Sequence, residues 1–330
     1  MTRIKQQAVQ FTALETAQLV EVQADDRPLD AQEVTGRTLK TLISSGTELA
    51  CYQGQLCNTT FPMQPGYAAV FQIKEIGGDV TAFKPGDLAF CMGPHRSFQR
   101  AAQQDALQLP PGLPPEVAVF ARLMGVSMST LTTTTARPPA IVLVSGLGPV
   151  GHLAAKIFHR CGYEVIAVDP IDSRRALLKN SGIERVFPRV PLDDSSIAKQ
   201  VALVVECSGH EQALLDACNV VMKRGEVAMV GVPWSRKTNL PAHELLYSIF
   251  HNYVVLRSGW EWEVPRFPLD FQTGSIHGNF AAALKWLAEG SVSIEGLYEA
   301  ASPHDAQQVY QNLLHTRSDQ LAVVLDWEAV

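Results

Sequence analysis

Nowhere in the 330 residues does an apolar run approach the ~20 residues a bilayer-crossing helix requires, so a membrane-embedded protein is not expected. The six cysteines (51, 57, 91, 161, 207 and 218) include no C-x-x-C pair, and several lie in apolar segments. That pattern points to reduced, mostly buried thiols. Basic residues never cluster and the net charge is −6, which argues against nucleic acid as a partner. The opening Met-Thr-Arg-Ile-Lys-Gln-Gln lacks the apolar h-region of a signal peptide and reads as the start of a strand, so a cytoplasmic protein is expected. Internal repeats and low-complexity segments are also missing. What remains is an ordinary soluble composition, 46% apolar and 18% charged, long enough for two domains.

The most informative stretch is Ile-Val-Leu-Val-Ser-Gly-Leu-Gly-Pro-Val-Gly, residues 141–151. The apolar run Ile141 to Val144 has the length and composition of a buried parallel strand. It leads directly into Gly146-x-Gly148-x-x-Gly151, and Leu153, Ala154, Ile157 and Phe158 then recur at helical spacing. Strand, glycines and helix in that order form a dinucleotide fingerprint. Gly146 suits the tight turn, Gly148 the approach of backbone to a pyrophosphate, and Gly151 close packing. Pro149 and Val150 complete the turn, where helix N–H groups face phosphates. A second strand, Glu164 to Val168, ends in Asp169, 23 positions after Gly146. An acidic residue there holds the adenosine ribose hydroxyls of NAD and repels a 2′-phosphate; the alternative is a helix cap. Arg174 and Arg175 keep NADP open, since guanidinium groups bind phosphate well.

Residues 1–110 alternate short strand-like runs with Gly, Pro and Asp turns. The runs are Gln7–Phe11, Ala17–Val22, Val34–Ile43, Tyr67–Ile76, Asp87–Cys91 and Ser97–Ala102. A helix is expected from Pro115 to Leu131, then a linker through Thr132–Thr135 and Pro138-Pro139. From residue 140 strands and helices alternate, the pattern of a doubly wound parallel sheet. Strands are expected at 141–145, 164–168, 185–187, 201–206, 226–231 and 253–258. The fourth ends in Cys207-Ser208-Gly209 and the fifth in Val230-Gly231, small residues at the carboxyl edge where ligands bind. Beyond an aromatic, Pro-broken loop after Gly259, helices are expected at 278–289 and 303–314, with strands near 297–300 and at Gln320–Asp326.

In this order the segments resemble the medium-chain dehydrogenase/reductase superfamily, which is alcohol-dehydrogenase-like, over nearly the whole chain. Ser44-Ser-Gly-Thr-Glu-Leu-Ala-Cys-Tyr-Gln-Gly54 is similar to the family's first zinc-ligand segment, and Pro65-Gly-Tyr-Ala-Ala-Val70 to its Pro-Gly-His-Glu segment. Val80 to Ala89 is similar to its turn before a barrel strand, and Ser97-Phe-Gln-Arg-Ala-Ala with Leu107 to Leu113 to its domain exit. The short Ser-Gly-Thr-Glu wording also resembles the bacteriochlorophyllide a dehydrogenase branch. The resemblance implies a chaperonin-10 (GroES)-like β-barrel domain from 1–121 and 262–330, with a Rossmann NAD(P)-binding domain at 122–261 and substrate in the interdomain cleft.

Departures from the family pattern set the expected chemistry. Ser45 stands where zinc-dependent members carry cysteine, Tyr67 and Ala68 where they carry histidine and glutamate, and Ala121 near the third ligand. A catalytic zinc takes about three N, S or O ligands plus water, so no metal is expected, and the cysteine-rich lobe of the structural zinc looks deleted. Without a Lewis acid, hydroxyl donors must stabilise charge on the carbonyl oxygen. Thr47 occupies the family's relay position, and Ser45 and Tyr67 replace ligands; these three are the catalytic candidates. Each also has a plain structural role open to it, as do Glu48, Trp260 and Trp262, and the histidines show no ligand spacing. The sequence reading is a zinc-independent oxidoreductase passing hydride between NAD(H) and an alcohol/ketone pair. A quinone or enone reductase and a catalytically inactive nucleotide-binding protein are the alternatives. A homodimer is expected, because the last strand of the parallel sheet would otherwise expose an apolar edge.

Overall fold

The computed structural model describes residues 6–56, 59–315 and 321–329. Cys57, Gln320 and the first five residues, which figured in the thiol and strand expectations, lie outside the described residues. The chain divides into two compact units. One is Met1–Arg122 with Leu284–Glu289 and Ile294–Val330, and the other is Leu123–Ala283 with Gly290–Ser293.

The first unit is built on β1 (Gln6–Ala13), β2 (Thr16–Val22) and β3 (Glu33–Ile43). β1 and β2 form an antiparallel hairpin. Short helix α1 (Ser45–Tyr52) follows β3, and then come β4 (Ala69–Ile76), β5 (Leu88–Cys91), β6 (Phe98–Ala102) and β7 (Ala106–Gln108). β3 pairs antiparallel with β4, and β6 also pairs with β3, so that strand is shared. Val34, Phe71, Ile73 and Ala89 pack one cluster on these strands. The expected helix from Pro115 is two pieces, α2 (Pro115–Ala118) and α3 (Ala121–Thr133). Pro115 sits in the first turn of α2, where its missing N–H costs nothing.

The second unit alternates β8 (Ile141–Ser145), α4 (Pro149–Arg160), β9 (Glu164–Val168), α5 (Asp172–Lys179), β10 (Val186–Phe187), β11 (Val201–Glu206), α6 (Glu211–Val220), β12 (Val221–Met229), α7 (Ala242–Asn252) and β13 (Val255–Ser258). The strands lie in the order β10-β9-β8-β11-β12-β13, all parallel. This is the doubly wound arrangement, with its switch point between β8 and β11. β11 is buried at every position, so it reads as a continuous apolar run ending in one acid, Glu206. Phe158 and Tyr163 pack with Val142 and Val144 in one core cluster, while Leu143, Ile166 and Val204 belong to another.

α8 (Ile276–Ala288) follows, and residues 262–283 belong to the second unit rather than to the barrel segment expected to start at 262. Phe280 lies against Gly125, where a Cβ would come within 2.4 Å of its ring, and Asn279 Nδ2 donates to Ser129 Oγ at 3.2 Å. Those contacts tie the start of α8 to α3. The chain then returns to the first unit through β14 (Tyr298–Ala301), α9 (Ala306–Leu314) and β15 (Ala322–Asp326). β15 pairs antiparallel with β3, Val323 opposite Ile43.

Candidate functional site

Two sets of sequence-selected residues occupy separate places, one in each unit. In the second unit the turns after β8 and β11 meet at the switch point. Cys207 N–H donates to Ser145 O at 2.7 Å, and Gly146, with φ of 87°, lies so close to Ser208 that a Cβ would come within 2.8 Å of its backbone nitrogen. Gly151 is tighter still, since a Cβ would sit 1.8 Å from Gly146 O. Gly148 is the N-cap of α4, and a Cβ there would meet nothing within 4 Å. Open space at the start of a twelve-residue helix, Pro149 and Val150 forming its first turn, fits an anionic group such as a pyrophosphate. Val230 and Gly231 close the neighbouring edge, with both N–H groups donating to Glu206 O at 2.8 and 2.7 Å.

Asp169 is only 2% exposed. Its Oδ2 accepts from Leu147 N–H at 2.7 Å and its Oδ1 from Ile171 N–H at 2.8 Å. The carboxylate therefore ties the glycine turn to the exit of β9. Arg174 Nη1 lies 3.6 Å from Asp169 Oδ2, while Arg175 donates to the Asp169 carbonyl at 2.6 Å and pairs with Asp172. Glu206 has a parallel job that sequence reasoning missed. It accepts from Ser208 N–H at 2.8 Å, from Gly209 N–H at 3.1 Å and from the Ser208 hydroxyl, and so shapes the Cys207–Gly209 turn. Burial raises its pKa against those bonds. Burial likewise pushes the Cys207 thiol well up, with the Glu206 charge adding to the effect, so Cys207 is a neutral thiol.

In the first unit, residues 45–52 are helical, a feature the sequence reading left out. Ser44 is the N-cap of α1 and Thr47 lies three residues on, so the two share a face while Ser45 points about 100° away. The side chains of Ser44 and Thr47 both act on the Tyr67 hydroxyl and lower its pKa. Of the three candidates, Thr47 and Tyr67 influence each other electrostatically, as does Ser44, the residue before Ser45. Arg122 completes the group, its guanidinium carbon 4.6 Å from the Tyr67 ring centroid. Burial raises the Tyr67 pKa most; Arg122 lowers it, Glu48 raises it, and Ser44 and Thr47 lower it.

Behind this group lies a buried relay. Glu48, 2% exposed, accepts from Ser44 N–H at 2.8 Å, His95 Nε2 at 2.9 Å and Tyr310 OH at 2.5 Å. His95 Nδ1 is 2.8 Å from Thr41 Oγ1, which also accepts from Trp327 Nε1 at 2.9 Å. A carboxylate only accepts, so His95 presents a proton on Nε2 to Glu48, while the Thr41 hydroxyl, able both to donate and to accept, bridges Trp327 and His95 Nδ1. Glu48 is thereby a structural acid, and His95, met singly in the sequence, is its partner. Among the described residues no three His, Cys, Asp or Glu side chains form a group that could hold a metal. The side chains at the family's ligand positions, a serine hydroxyl, a phenol under a guanidinium and a buried alanine methyl, do not suit zinc.

With this geometry in place, comparison defines the class. The chain has the fold of the medium-chain, alcohol-dehydrogenase-like oxidoreductases, an antiparallel β unit joined to a doubly wound parallel sheet. Residues 149–262 match the family model described as zinc-binding dehydrogenase. Galactitol-1-phosphate dehydrogenase from Escherichia coli superposes with a TM-score of 0.82 at 16% identity, covering 97% of this chain and 99% of that one. Acetophenone reductase from Geotrichum candidum, in complex with NAD, gives 0.81 at 15% identity and covers both chains fully (100% each). An alcohol dehydrogenase from Geobacillus stearothermophilus is 26% identical over 208 residues, 52% of this chain and 62% of that protein. The chain thus spans about three-fifths of the length of this curated relative.

Proposed function

We propose that the protein is a zinc-independent oxidoreductase that interconverts an alcohol and a ketone with NAD(H). The observation that carries this reading is Tyr67, which stands where the resemblance places a zinc ligand and instead lies under the Arg122 guanidinium at 4.6 Å, with Ser44 and Thr47 lowering its pKa. A bound nicotinamide supplies or accepts the hydride. The residues of this chain do the rest. Gly146, Gly148, Pro149, Val150 and Gly151 seat the pyrophosphate at the start of α4, and the Cys207–Gly209 turn with Val230 and Gly231 borders the nicotinamide side. Tyr67 donates a proton to the carbonyl oxygen in reduction or receives one from the alcohol in oxidation, and the hydroxyls of Ser44 and Thr47 support the charge left on its oxygen. Ser45 stays a lesser candidate, on a neighbouring face of α1.

NAD is favoured over NADP by two features. Asp169 puts negative charge at the end of β9, and Arg174 already faces that carboxylate at 3.6 Å rather than standing ready for a 2′-phosphate. A second copy of the chain is the proposed partner. β13 is the edge of the parallel sheet, and beside it α7 exposes Leu246, Tyr247 and Phe250, an apolar face suited to self-association.

The test is a hydride-transfer assay with NADH and NADPH against ketones, enones and quinones, run on metal-stripped protein. Ketone reduction with NADH that survives chelation, and falls at least tenfold in Tyr67→Phe, is the expected result. Turnover confined to quinones or enones would replace the alcohol/ketone reading. Nucleotide binding without turnover would replace catalysis with sensing.

A further inference from the structure

Arg122, in the first turn of α3, bears directly on Tyr67. It is 6% exposed, and its guanidinium lies face-on to the Tyr67 ring at 4.6 Å. We infer that Arg122 is a positioning residue for Tyr67, holding a permanent positive charge on the phenol face so that the ring can carry negative charge once its proton has left. The physical basis is differential. A guanidinium is attracted to a neutral aromatic face by about 0.5–2 kcal/mol, but it meets a full opposite charge when the ring becomes a phenolate. The contact is therefore stronger after proton release than before it, the condition for helping the step rather than merely binding the side chain.

The other groups that bear on the phenol fit this role. Glu48 opposes phenolate formation, but its carboxylate is already spent on Ser44 N–H, His95 and Tyr310. Ser44 and Thr47 act in the same direction as Arg122, lowering the Tyr67 pKa. His95 and Tyr310 are bonded to the Glu48 carboxylate. A buried tyrosine flanked by a carboxylate would otherwise be a poor proton donor near neutral pH, and Arg122 is the cation that offsets this. Arginine suits the place because it stays charged when buried and its plane stacks on a ring, which lysine does not reproduce.

The use of this arrangement in catalysis rests on the oxidoreductase reading, whereas the ionisation can be measured without it. Tyr67 is replaced by difluorotyrosine, whose hydroxyl ionises at lower pH, and its absorbance is followed against pH in nucleotide-free protein. The same titration is run with Arg122→Met, Arg122→Gln and Arg122→Lys. Loss of the charge should move the midpoint up by about 1 pH unit or more, with Lys recovering part of the shift. Arg122→Gln keeps most of the side-chain bulk and decides the question if the Met variant does not fold. Superimposable titrations in wild type and the folded neutral variants would overturn the inference. Absence of hydride transfer with a normal titration shift would sink the proposed function alone, and full turnover with an unshifted titration would sink this inference alone.

Discussion

Glu48→Gln removes one charge from the buried relay while keeping nearly the same shape. The carboxylate accepts three bonds, one at Oε1 from Ser44 N–H and two at Oε2 from His95 and Tyr310. An amide offers a single oxygen. Its less costly orientation keeps that oxygen toward His95 and Tyr310 and turns NH2 against the Ser44 N–H, setting donor against donor. One bond is lost with a buried donor left unsatisfied, about 1–3 kcal/mol, and the other two change from a charged to a neutral acceptor, roughly 1 kcal/mol each. A neutral amide is easier to bury, which offsets part of the loss. The expected net destabilisation is about 2–4 kcal/mol, a fall in melting temperature on the order of 5–15 °C for a unit of this size. Scanning calorimetry of wild type and variant reads it directly, with Tyr310→Phe, which removes one of three donors, expected to cost only about 1 kcal/mol. A Glu48→Gln protein within about 0.5 kcal/mol of wild type would refute the assignment of three donors to one charged acceptor.

Two further outcomes follow from the second unit. Burial, assisted by Lys156, lowers the pKa of His152 from the ordinary 6.5 to about 4, while its Nε2 bonds the Arg174 carbonyl at 3.1 Å. A depressed folded-state value means the neutral form is the one the fold accepts, so stability is complete above pH 6.5 and drains away as pH falls toward 4. Roughly 3 kcal/mol is at stake, and urea titrations across that window should show a shallower acid slope in His152→Gln; identical slopes would discount the effect. For self-association, Phe250→Glu places a charge on a ring now 77% exposed on α7. Light scattering should show a dimer in wild type and a monomer in the variant, and an unchanged mass would clear α7 of any role.

The parallel sheet was readable because strands buried on both faces are written as short unbroken apolar runs, as in Val142 to Val144 and Leu203 to Val205. Its glycines were readable because close approach admits no other residue, as the 1.8 Å from a Cβ on Gly151 to Gly146 O shows. The hydroxyl site was only partly legible. Ser45, Thr47 and Tyr67 stood out through resemblance, but the effect of Ser44 on Tyr67 depends on α1, an eight-residue helix with little amphipathic pattern to announce it. The relay left no local trace at all. His95 lies 47 positions from Glu48, and Tyr310 lies 262, so only the folded chain brings them together. Asp169 carried the opposite lesson. Its spacing matches a ribose-binding acid, while its two backbone bonds show the same carboxylate bracing the glycine turn.

The pairing of β15 with β3 places nearly three hundred intervening residues inside one closed loop, from Ile43 to Val323. On the ribosome the parallel sheet can mature as soon as its own segment has emerged, whereas the β unit must wait for the last strand to arrive. Tyr310 and Trp327, which anchor Glu48 and Thr41, come with that late segment. A chain halted after residue 300 would therefore offer a formed glycine turn but leave Glu48 without Tyr310 and Thr41 without Trp327.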